Sequence, residues 1–195
     1  IFDQIGKDDI CMAFFPCTRF EAKIPLMMRG EAFQQEKWTD IQKLECSISL
    51  QKELNELYIL LSKMTIICLR KGFPMIIENP YTQPHYLRTY WCMKPALIDT
   101  DRTENGDYYK KPTQYWFLNC KPEQNLVFEP IEYVETRTID KTNKATRKAD
   151  RSLMHPQYAD RFIRQYILKE EQWKKTKPAE LACTEITTKG TTTCR

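Results

Sequence analysis

Two short apolar runs stand on either side of a long stretch with helical periodicity, and this arrangement narrows the possible folds more than any other feature of the chain. The first run is Asp9 to Phe15 (DICMAFF), closed by Pro16, and the second is Phe73 to Ile77 (FPMII). Both read as buried strands. Between them, within the span from Ile41 to Lys71, Leu50, Leu54, Leu57, Leu61, Met64 and Cys68 recur at alternating steps of four and three. That is the stripe of an amphipathic helix packed on a sheet, and Gly72 is placed to stop it. Strands joined through a long helix pair in parallel, because a tight hairpin is not available to them.

The rest of the chain adds smaller elements. Residues Glu21 to Asp40, with Pro25, Gly30 and mixed charge, read as a loop with a short helix. Pro84 to Met93 reads as an aromatic-rich short helix or loop, and Ala96 to Asp99 as a third strand. Asn105-Gly106 is a hairpin-type turn signal leading into a strand over Gln114 to Leu118, so antiparallel pairing is expected at one sheet edge. Residues 134 to 152 are polar and basic and read as a solvated loop. Pro156 starts a helix with Tyr158, Phe162, Ile163, Tyr166 and Ile167 on its buried side. The expectation is an α/β domain over residues 1–173, a mostly parallel sheet flanked by helices, followed by a flexible tail over 174–195.

Composition excludes several classes. The 195 residues are 42% hydrophobic and 12% aromatic, enough for one domain with a real core. A net charge of +4 permits a polyanionic partner without demanding one. The 8 cysteines form no CxxC pair and His85 and His155 are isolated, so no metal site is expected. Reduced thiols and a cytoplasmic location follow as the expected setting. No apolar run reaches the roughly 18 residues of a membrane span. Beginning at Ile1, close to a strand, the chain reads as processed or truncated.

Ligands of open α/β sheets sit outside the carboxyl ends of the strands. Phe15-Pro16-Cys17 follows the first strand and Glu78-Asn79-Pro80 the second. If the strands are neighbours, a thiol and a carboxylate face one cleft, a nucleophile beside a proton donor. Taken singly, each motif also suits an ordinary turn: proline restricts the residue before it to extended backbone, and a small cysteine is often simply buried. The joint placement favours chemistry.

Phe15-Pro16-Cys17 resembles the Pro-Cys motif of cytosine-5 DNA methyltransferases, Glu78-Asn79-Pro80 resembles their Glu-Asn-Val motif, and Lys111-Pro112-Thr113-Gln114-Tyr115-Trp116-Phe117 resembles the strand that follows in small, divergent phage-type DNA methylases. The resemblance spans about residues 8 to 168. It implies a Rossmann-like fold, S-adenosylmethionine as cofactor and DNA as partner. It also implies Cys17 as the nucleophile adding to carbon 6 of a cytosine flipped out of the duplex, and Glu78 as the group holding or protonating ring nitrogen 3. Pro16, Asn79 and Pro80 would lie near the cofactor, and Thr18, Arg19, Tyr81, Lys111, Thr113 and Gln114 near the substrate. Arg19, Lys110, Lys111 and the basic stretch from Arg137 to Arg151 are candidate phosphate contacts.

The chain departs from the family pattern in three ways. It has no GxG segment, Pro80 stands where the family has valine, and the spacing from Cys17 to Glu78 is longer than usual. The expectation is therefore the catalytic and C-terminal part of a longer enzyme, with cofactor-binding strands preceding Ile1. Two alternatives stay open. Asn79-Pro80-Tyr81 also resembles the Asn-Pro-Pro-Tyr motif of amino-group (adenine N6 or cytosine N4) DNA methyltransferases, in which Cys17 would be incidental. A methylase-like domain that only binds DNA or protein is the other.

Overall fold

The computed structural model describes residues 2–137 and 152–169. A four-stranded sheet in the order β1-β2-β4-β3 forms its centre, with β1 over Cys11–Phe14, β2 over Met75–Pro80, β3 over Leu97–Asp99 and β4 over Thr113–Leu118. Among the described residues four α-helices accompany it: α1 (Lys23–Met28), α2 (Asp40–Lys71), α3 (Tyr86–Tyr90) and α4 (Pro156–Tyr166).

The crossover unit read from the sequence is present. β1 and β2 pair in parallel, with Cys11 opposite Met75 and Phe14 opposite Glu78, and α2 connects them. The helix starts at a capping box: the Thr39 hydroxyl accepts from the Gln42 backbone N–H, and the Gln42 side chain accepts from the Thr39 N–H. It ends where Gly72 adopts a left-handed φ of 76°, which a residue with a Cβ would take up only with strain. Of the predicted stripe, Leu50, Leu54, Leu61 and Cys68 are buried. With Phe20, Phe73, Met75, Ile77, Leu87, Trp116 and others, the last three form the larger core, on the α2 side of the sheet. Ile76, Tyr115 and Phe162 form a smaller core beneath α4.

The expected mostly parallel sheet is not what forms. β4 lies between β2 and β3 and is antiparallel to both, so β1·β2 is the one parallel pairing. Antiparallel pairing is therefore central to the sheet and not confined to an edge. β4 can insert there because, like β2, it has five of its six residues buried: Thr113, Gln114, Tyr115, Trp116 and Leu118. A strand buried on both faces gains most from a position with neighbours on both sides. The architecture shown is α/β, a mixed sheet flanked by helices.

Three further expectations are corrected. Glu78, Asn79 and Pro80 are strand residues and not a loop following the strand. Asn105-Gly106 closes a short 3-10 turn, Arg102–Asn105, with Gly106 at φ 84° as its cap, and does not form a two-residue hairpin. Ile163 on α4 is 42% exposed, whereas Tyr158 and Phe162 are buried. The segment between Glu21 and Asp40 does hold a short helix, α1, and a 3-10 turn over Phe33–Gln35. Most of the basic stretch, including Lys141, Lys144, Arg147, Lys148 and Arg151, lies outside the described residues, as does the tail expected over 174–195.

Candidate active site at the ends of β1 and β2

The site begins with a strand that stops. β1 ends at Phe14, Phe15 turns into the core, and Pro16 and Cys17 emerge at the carboxyl end of the parallel pair. Because Phe14 is registered with Glu78, Cys17 stands three residues beyond the partner of that carboxylate. The Cys17 thiol donates to Glu21 Oε1 at 3.6 Å. Its titration is pushed upward, first by burial, then by Glu21 and more weakly by Glu78, with Lys111 acting in the opposite sense. The thiol is in contact with Glu21 and lies within electrostatic range of Glu78 and Lys111.

Glu78 is 6% exposed. Burial raises its carboxyl above the usual range, partly offset by Lys111, whose ammonium lies 3.8 Å from Oε1, and by Arg102. Glu78 Oε1 has no hydrogen-bond donor. A buried carboxyl that holds its proton more tightly than usual, with Lys111 as its one charged neighbour within 4 Å among the described residues, is suited to donating a hydrogen bond or a proton. Beneath it Arg102 is wholly buried, paired with Asp107 and stacked 4.4 Å from the Tyr158 ring centroid.

Adjacent strand residues face opposite sides of a sheet, so Asn79 points away from Glu78 into the α2-side core. Its amide nitrogen donates to the Phe15 carbonyl at 3.2 Å, and its oxygen lies 3.1 Å from His85 Nε2. Since that oxygen is an acceptor, His85 carries its proton on Nε2 and leaves Nδ1 bare, in agreement with the absence of a partner at Nδ1. Burial depresses the His85 pKa to about 4, so the ring is neutral.

The structure thus brings together Cys17, Glu78 and Lys111 of the residues read from the sequence, with Asn79 behind them. Pro16 and Thr18 are exposed at the mouth. Arg19 is turned toward α2, where its guanidinium meets Glu53 at 2.5 Å. Lys110 pairs with Asp101 at 3.2 Å, and Arg137 lies 4.1 Å from the Tyr108 ring centroid. Tyr81 is half-buried under Arg88, at 5.1 Å, and its backbone N–H donates to Pro112 O. Thr113 and Gln114 are wholly buried, Thr113 donating to Lys111 O and Gln114 to Pro80 O, which aligns the ends of β2 and β4. Pro80 is half-buried at the end of β2.

Sequence reasoning missed Glu21, His85 and Arg102. Glu21 has a signal in retrospect, a carboxylate four residues after the cysteine. His85 and Arg102 have none, since their partners are 6 residues away on another element and inside a turn, respectively.

Among the described residues no group of His, Cys, Asp and Glu is placed to hold a metal ion, and no helix is long and apolar enough to cross a membrane. Cys11, Cys17, Cys46, Cys68, Cys92 and Cys120 are free thiols. No family description, curated protein or solved structure matches the chain.

Proposed function

We propose that this chain carries the base-activating part of a cytosine-5 DNA methyltransferase, with Cys17 as nucleophile and Glu78 as the acid facing the base. The observation that carries the reading is a thiol hydrogen-bonded to the Glu21 carboxylate just beyond the end of β1, with a second, buried carboxyl, Glu78, near the end of the paired parallel strand, where burial favours its protonated form. The Cys17 proton passes to Glu21 as sulfur bonds to carbon 6 of the ring. The electron pair of the carbon 5–carbon 6 double bond moves into the ring toward nitrogen 3, which takes the proton of Glu78. Lys111 lies beside the carboxylate so formed. The reverse transfers restore both groups. The ring must leave the base stack to meet Cys17, which makes single-stranded or flipped DNA the substrate.

S-adenosylmethionine is the methyl donor implied by the resemblance. A cofactor of that kind needs a segment where backbone approaches it closely, and the described glycines are elsewhere. Gly72 caps α2 at the opposite end of β2, Gly30 packs against Lys43, Gly106 against Gln157, and Gly6 precedes β1. In this reading the described residues handle the base, with Pro16, Asn79 and Pro80 on the side of the donor, and none of the described glycines supplies the close backbone approach. Among the described residues β1 is an edge strand of the sheet, and a Rossmann-like arrangement is part of this proposal.

The amino-group reading asks Asn79 to meet the substrate. Both ends of the Asn79 side chain are committed to Phe15 and His85, so the geometry favours the thiol reading. A cofactor-free assay tests it. Addition of sulfur to carbon 6 makes carbon 5 basic, so the protein should exchange tritium from carbon 5 of cytosine in single-stranded DNA and form a covalent adduct with 5-azacytosine DNA on the Cys17 peptide. Absence of both, with oligonucleotide binding intact, would leave the binding-only reading in place.

A further inference from the structure

Helix α2 is apolar on two opposite faces. One face, with Leu50, Leu54, Leu61 and Cys68, is buried, the last three in the core on the sheet. At about 100° per residue, Ile41, Ile48, Ile59 and Ile66 fall on the other side, and they are 70%, 71%, 43% and 46% exposed. A helix packed on one side of a domain ordinarily turns a polar face to water. Here the outer face continues as a regular stripe, Ile41, Glu45, Ile48, Lys52, Asn55, Ile59, Ser62 and Ile66, at steps of four and three throughout. That is the spacing of a coiled-coil seam, with four isoleucines at its ends and four polar residues among its positions.

The order of residues along this stripe is self-complementary when reversed. If a second α2 is laid antiparallel, with a two-fold axis crossing between Glu53 and Leu54, Ile41 meets Ile66 of the second copy, Ile48 meets Ile59, Glu45 meets Ser62 and Lys52 meets Asn55, each pair occurring twice. Apolar meets apolar and polar meets polar in every layer. A parallel pairing would instead stack Glu45 on Glu45 and Lys52 on Lys52, and a slip of one heptad would set Ile48 against Lys52. The overlap of residues 41 to 66 runs about 39 Å at 1.5 Å per residue.

We infer that the outer face of α2 is a homodimer interface, an antiparallel two-helix seam in this register, with polar central layers that specify alignment at a cost in affinity. The interface is isologous. It lies on the helix face turned away from the sheet and is independent of the chemistry proposed at Cys17.

Light scattering coupled to size exclusion, over roughly 1 to 100 μM protein, should give twice the 23.3 kDa chain mass at the upper end of the range. Ile48→Glu should reduce this to the monomer with an unchanged circular dichroism spectrum, since the residue is exposed. Lys52→Leu combined with Asn55→Leu should tighten the dimer at least tenfold, a gain that misfolding would not mimic. Proteins carrying Ile48→Cys and Ile59→Cys, mixed and oxidised, should cross-link to each other well above the unsubstituted background. Ile48→Cys alone should not, because its two copies would lie about 16 Å apart along the seam, beyond disulfide reach. A monomer at all concentrations, a dimer indifferent to Ile48→Glu, or stronger cross-linking of Ile48→Cys alone would overturn the inference, the last by pointing to a parallel pairing.

Discussion

The amide of Asn79 donates to the carbonyl oxygen of Phe15 across 64 residues of chain, at 3.2 Å. This bond ties the end of β2 to the residue just before Pro16-Cys17, so the position of the thiol is set from the neighbouring strand. His85 holds the other end of the amide. Asn79→Ala leaves the Phe15 carbonyl and the His85 N–H buried without partners and should cost about 2–4 kcal/mol, on the scale of two unsatisfied groups. Urea unfolding would measure it.

The same bracket predicts a pH dependence. The His85 pKa falls from 6.5 to about 4 on folding. A base with a depressed folded pKa contributes stability that is complete above about pH 6.5 and is lost as pH falls toward 4. The two and a half units correspond to about 3 kcal/mol. Thermal melts between pH 8 and 4 should show this loss, and His85→Gln should remove most of its pH dependence.

Glu78→Gln should act in the opposite direction on stability. Burial raises the Glu78 carboxyl, so folding holds its proton more tightly and stability declines as pH rises from the unfolded carboxylate value through the raised one. A neutral glutamine avoids that decline, and the variant should melt at or above the parent temperature at pH 7. Its carbon 5 exchange should fall by about 10²-fold or more, as expected when a proton donor is removed.

Glu21→Gln separates two roles for the carboxylate beside Cys17. Glu21 raises the thiol pKa, so its neutralisation should speed alkylation of Cys17 by iodoacetamide at pH 7–8. If Glu21 also takes the thiol proton during addition, carbon 5 exchange should drop by about 10²-fold in the same variant. Faster alkylation with unchanged exchange would limit Glu21 to an electrostatic effect.

Asp107→Ala strands Arg102, which is wholly buried, without its counter-charge. It also removes the acceptor for the backbone N–H groups of His155 and Tyr108, each at 2.8 Å. Loss of one partner of a buried pair costs about 3–5 kcal/mol, so the variant should be among the least stable single substitutions. Differential scanning calorimetry would report it.

The amino-acid order by itself determined the parallel crossover of β1, α2 and β2, because apolar periodicity, the Thr39 cap and the Gly72 stop are local properties that act wherever the chain lies. It also placed Cys17 and Glu78 at the ends of neighbouring strands, since a short strand followed by proline has only one end to offer. Tertiary structure alone decided the rest. β4 could have paired at an edge, and its place between β2 and β3 depends on which partners bury Tyr115 and Trp116 together, a contest among distant segments. Asn79 was readable as a group beside Glu78, near the cofactor, only while Glu-Asn-Pro was taken for a loop. Inside a strand, consecutive side chains must face opposite sides of the sheet, and that alternation turns Glu78 toward Lys111 and Asn79 toward Phe15 and His85 in the core.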